Sequence, residues 1–112
     1  MTKQEHLEAI TSFCRRNLEI ADKRTPGKWR QQPLDMSEIR SSDNTLVADG
    51  WWSQLNNAAY IAACAGAAEA GWKATIADIE FTFEIADKFG IECVQPHIDI
   101  ILAAYPEDML KP

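Results

Sequence analysis

The sequence predicts an α+β fold: an N-terminal helix, a three-stranded antiparallel meander, then two to three C-terminal helices. Three observations predict it. Apolar residues recur at three- and four-residue steps as far as about Arg24. Short extended pieces alternate with turn residues between Lys28 and Trp52, and helical spacing returns from Leu55 onward. At 112 residues the chain is expected to form one small domain, 1–112. With 46% hydrophobic and 25% charged residues, its core needs no disulfide or metal staple.

Thr2 and Glu5 have the spacing of a capping box, in which hydroxyl and carboxylate each satisfy a free backbone amide. Behind them Leu7, Ile10, Phe13, Cys14, Leu18 and Ala21 form one helical face, so the first helix is expected from about Thr2 to Arg24. Lys23 and Arg24 suit its C-terminal end, where the dipole favours cations. Thr25-Pro26-Gly27 stops it. Strands are expected at 29–32, 36–41 and 45–49, parted by Pro33 and by Ser42-Asp43-Asn44. Asp and Asn tolerate positive φ, which favours a hairpin there.

Ser53 or Asn56 caps a second helix through Leu55, Ala58, Ala59, Ile61, Ala62 and Ala65, with Gly66 and Gly71 as punctuation. A third helix, from about Trp72 to Phe89, presents Trp72, Ile76, Ile79, Phe83 and Ala86 to the core, widened by Phe89. Gly90 stands where a left-handed cap belongs. Pro96 opens a fourth helix with Ile98, Ile101, Leu102 and Tyr105, which Pro106 ends; the tail beyond is expected to be loosely held.

Eleven basic and seventeen acidic residues give a net charge of −6, unevenly spread. Residues 1–30 hold seven basic and four acidic side chains, 31–72 one and five, and 73–112 three and eight. The acidic balance argues against long nucleic acid and anionic membranes as partners. It leaves a local basic region, and Arg24, Lys28 and Arg30 are its candidates for holding a phosphate or carboxylate. The acidic run Asp78, Glu80, Glu84, Asp87 and Glu92 reads either as a solvated helix face or as a surface that engages a partner protein.

Chemistry is scarce. Cys14, Cys64 and Cys93 are an odd set with no C-x-x-C spacing, which suits reduced thiols in a cytoplasm. The N-terminus carries no apolar signal core, and the longest uncharged run, 50–68, is too polar and alanine-rich to enter a membrane. His6 is expected to be exposed and His97 structural or on the surface; Cys64 with His97 is the one cysteine–histidine pairing worth checking as nucleophile and base. No phosphate-binding glycine loop, nucleophile elbow or zinc motif is present. No catalytic residue, metal or cofactor is expected. Four tryptophans stand out, and Trp51-Trp52 point opposite ways if extended, so one of them either covers a neighbouring helix or anchors a partner or a stacked base.

Four segments carry a resemblance: Thr25-Pro26-Gly27-Lys28-Trp29-Arg30, Ile39-Arg40 to Asp43-Asn44, Leu46-Val47-Ala48, and Asn57-Ala58-Ala59-Tyr60-Ile61-Ala62-Ala63. Together they resemble a family of small phage and prophage proteins that read T-P-G-P-W-R, a short hairpin ending in V-A, and N-A-x-x-I-A-A before a long helix. The similarity covers about half the chain, residues 25 to 85, and Lys28 replaces the second proline. It implies a mobile-element origin and a host cytoplasmic setting, and brings no catalytic residues.

The expected function is therefore non-catalytic. The first reading is a phage-derived protein that binds and modulates a host protein, for instance a counter-defence factor of the anti-CRISPR kind, through Glu80, Glu84, Asp87, Trp51 and Trp52. The alternatives are a nucleotide- or anion-sequestering protein using Arg24, Lys28 and Arg30, and a structural accessory subunit. A homodimer is expected, and Ile98, Ile101, Leu102 and Tyr105 suit its face as readily as they suit a core.

Overall fold

The computed structural model describes residues 1–33, 35, 37–49 and 55–111. The elements follow the predicted order: helix α1 (Lys3–Asp22), strands β1 (Trp29–Gln31), β2 (Glu38–Ser41) and β3 (Leu46–Asp49), helix α2 (Leu55–Phe89), a 3₁₀ turn (Ile91–Val94), helix α3 (Gln95–Ala104) and a second 3₁₀ turn (Glu107–Leu110). The chain divides into two compact units, Ile20–Gly71 and Met1–Glu19 with Trp72–Pro112.

α1 begins as its capping box dictates. The Glu5 amide donates to the Thr2 hydroxyl at 3.1 Å, and the Thr2 amide to the Glu5 carboxylate at 3.4 Å. The helix ends at Asp22, short of Arg24, because Lys23 and Arg24 bond back three residues to Ile20 and Ala21 and tighten the last turn.

In the unit Ile20–Gly71, the three strands form one antiparallel sheet in the order β1-β2-β3. Trp29 faces Ser41 and Gln31 faces Ile39; on the other side the register slips between Ile39 and Arg40, which pair with Ala48 and Leu46. The slip leaves Val47 as the extra residue of a bulge. Asn44 takes φ 70°, and its amide donates to the Ser41 carbonyl at 2.9 Å, so the predicted turn residues do make the hairpin. The face of the sheet is closed by Ile39, fully buried with Ala58 and Ala62 of α2, and bordered by Trp29, Val47 and Ala48. Alanines let the helix approach where longer side chains would hold it away. Gly27 has φ +89°, a conformation that L side chains rarely adopt, so the turn favours glycine there.

Asp43 ties the hairpin turn. Its carboxylate accepts from the Ser41 hydroxyl and from the Thr45 amide, which holds its pKa down at about 2. Asp35 is likewise lowered, mainly by the Ser37 hydroxyl. A carboxyl whose folded pKa is depressed stabilises the fold above its unfolded value and loses that contribution as pH falls through the folded one. The meander is therefore expected to lose stability between about pH 4 and pH 2, the interval between the ordinary Asp value and that of Asp43. Amide exchange at Ile39 and Arg40 measures this, and Asp43→Asn should flatten the dependence. An unchanged pH profile in the variant would refute the assignment.

α2 departs from expectation. Instead of two helices punctuated at Gly66 and Gly71, one helix of 35 residues runs through both glycines. No proline interrupts it, and an isolated glycine costs only about 1 kcal/mol against alanine, which an alanine-rich neighbourhood tolerates. Two α-helices thus follow the sheet.

In the unit Met1–Glu19 with Trp72–Pro112, the predicted stripes meet: Leu7, Ile10 and Cys14 of α1, Ile79 of α2, and Ile98 and Ile101 of α3 are buried together. Trp72, Ile76 and Phe83 pack against them as expected, and the Phe13 and Tyr105 rings meet edge to face at 6.2 Å. Three expectations are corrected, and one left open between two readings is decided. Phe89 does not widen the core stripe but is 67% exposed. The tail is held, since the second 3₁₀ turn buries Leu110 in the same core. The face of α3 considered for dimerisation is spent within the chain, because Ile98, Ile101, Leu102 and Tyr105 all join this core. His6 is half-buried, its Nε2 donating to the Tyr105 carbonyl at 2.7 Å. Gly90 has the positive φ foreseen (91°), but ψ 149° places it in the extended region open to glycine rather than in a left-handed cap.

Candidate functional site

Two places hold the candidate residues, one in each unit. The first is the turn between α1 and β1. Arg24 donates through Nε to the Glu69 carboxylate of α2, and through Nη1 to the carbonyls of Thr25 at 2.7 Å and Gly27 at 3.0 Å. Its guanidinium also lies 5.2 Å from the centre of the Trp29 ring. Trp29 turns inward as expected, and its indole N–H donates to the Thr25 carbonyl at 2.9 Å. Arg24, read from the sequence as an anion ligand, is thus a fastener of the turn, its charge neutralised by Glu69. The sequence did carry the signal: Glu69 is the only charged residue between Gly50 and Trp72. A lone carboxylate in a long uncharged stretch calls for a specific partner once it is buried.

Lys28 and Arg30 are exposed, and neither forms an ion pair among the described residues. Arg30 sits on β1 opposite Arg40, which is itself bound to Glu38. Beside Lys28 lies a cleft of about 380 Å³, with the turn at Gly27 and Trp29 on one side and Ala62, Ala63, Gly66 and Ala67 of α2 on the other. Of the three basic candidates, Arg24 and Lys28 line this cleft and Arg30 does not.

The second place is the last third of α2. Glu80 meets Arg15 of α1 at 3.4 Å, an exposed pair worth little in water. Glu84 and Asp87 are exposed, with no ion-pair partner among the described residues. Asp78, which opens the acidic run, holds His97 at 2.8 Å. The same part of the helix exposes two large apolar side chains: Phe89, which spacing placed beside the core stripe, is 67% exposed, and Phe81, which spacing leaves off it, is 61% exposed. With Ile85 they stand at i, i+4 and i+8, one ridge of the helix. Trp51 and Trp52 lie outside the described residues, as do Ser53 and Met36.

The thiols and the histidines each have partners of their own. Cys14 is buried, which pushes its pKa up against a lowering hydrogen bond with Tyr105. Cys64 is half-buried beside Tyr60, whose phenol it shifts upward by hydrogen bonding, and the His97 ring is engaged by Asp78. Cys93 is exposed and directs its thiol to the Phe89 carbonyl at 3.2 Å. Among the described residues no group of three or more His, Cys, Asp or Glu side chains is placed to hold a metal ion, and no helix is long and apolar enough to cross a membrane. Compared with known proteins, the chain matches no family model, no curated protein and no solved structure.

Proposed function

We propose that this is a non-catalytic protein of phage or prophage origin that binds and modulates a host protein in the cytoplasm, with the last third of α2 as its contact. One observation carries the reading: Phe81 and Phe89, 61% and 67% exposed, stand on the same helical segment as the exposed carboxylates of Glu80, Glu84 and Asp87. Exposed aromatic side chains are the residue type that anchors interfaces when a partner pocket desolvates them. Carboxylates around them steer a basic partner and set the salt dependence of binding. A helix presenting apolar side chains at i, i+4 and i+8 fits an apolar groove, here one with a basic rim. In keeping with the sequence, the acidic surface suits a protein partner and not a long nucleic acid.

The test compares the wild type with Glu80→Lys/Glu84→Lys/Asp87→Lys and with Phe81→Ala/Phe89→Ala in capture from a lysate of the host. The wild type is expected to retain one protein at equal stoichiometry. Each multiple variant should weaken that complex by about 100-fold at low salt, equivalent to about 2.7 kcal/mol, with circular dichroism unchanged because all five side chains are exposed. Capture that survives both sets of substitutions overturns the reading.

A further inference from the structure

We draw no further inference here: the strongest candidate, the open face of the three-stranded sheet where the exposed Arg30 of β1 stands directly opposite Arg40 of β2, carries no anion site, because Glu38 binds the Arg40 guanidinium through both carboxylate oxygens and the Asp35 carboxylate also feels its charge, which leaves Arg30 as an exposed surface cation with no second group to complete a site.

Discussion

Trp29→Ala is expected to destabilise the unit Ile20–Gly71 by about 3 kcal/mol, toward the lower end of the range for removing a large aromatic from a core. The figure is large because one side chain does three things. The ring packs against the cluster of Ile39, Ala58 and Ala62, whose two alanines supply little apolar area of their own. Its N–H satisfies the Thr25 carbonyl, and its face carries the Arg24 guanidinium that joins the turn to Glu69. Truncation opens a cavity that backbone alone cannot refill. Trp29→Phe separates the contributions: it keeps most of the packing and removes the hydrogen bond, so it should cost about 1 kcal/mol. The measurement is native-state hydrogen exchange at Ile39 and Arg40, amides of the central strand, in all three proteins. A loss below about 1 kcal/mol for Trp29→Ala would mean that the small sheet does not depend on this ring.

The elements were legible where a local rule and the tertiary environment agree. The Thr2–Glu5 box, the three strands and the Asp43-Asn44 turn each follow from side chains that bond to their own neighbourhood, and each is where the spacing puts it. The errors share one cause, the weight given to punctuation without knowledge of what lies opposite. Gly66 and Gly71 lie inside one unbroken helix, because a glycine costs it only about 1 kcal/mol and no proline removes a hydrogen bond there. Spacing places Phe89 beside the stripe, but six residues beyond Phe83 it stands about 120° round the helix and faces away from the core. The candidate site was legible as a neighbourhood and not as a set of roles. Basic residues near the turn are visible in the sequence; that Arg24 is consumed by Glu69 and Lys28 is left over depends on a contact 45 residues away. On α2 the carboxylates were visible as charge, whereas the exposure of Phe81 and Phe89 depends on which face the core of Ile79 and Phe83 occupies.

That core gives the second large effect. Ile79→Ala is expected to destabilise the unit formed by Met1–Glu19 and Trp72–Pro112 by about 4 kcal/mol, within the range for removing three buried methyl or methylene groups. Ile79 is 1% exposed and is the fully buried α2 side chain in the cluster with Leu7 and Ile10 of α1 and Ile98 of α3, so its loss leaves a cavity bounded by three helices. The surrounding side chains cannot collapse into it without breaking other contacts: Tyr105 is held by the Phe13 ring and by a 3.1 Å bond to Thr75, and its carbonyl by His6. Such restraint puts the cost toward the upper part of the range, because relaxation is what makes cavities inexpensive. Ile79→Val, which deletes one methylene, should cost about 1 kcal/mol. Phe89→Ala is the contrasting case: it removes more atoms, but from a side chain 67% exposed, and should stay within about 0.5 kcal/mol of the wild type. Urea unfolding of the three variants, read by amide exchange on α3, supplies all the values under one condition. If Phe89→Ala proves as costly as Ile79→Ala, the ridge of Phe81, Ile85 and Phe89 is already covered within the chain and is not available to a partner.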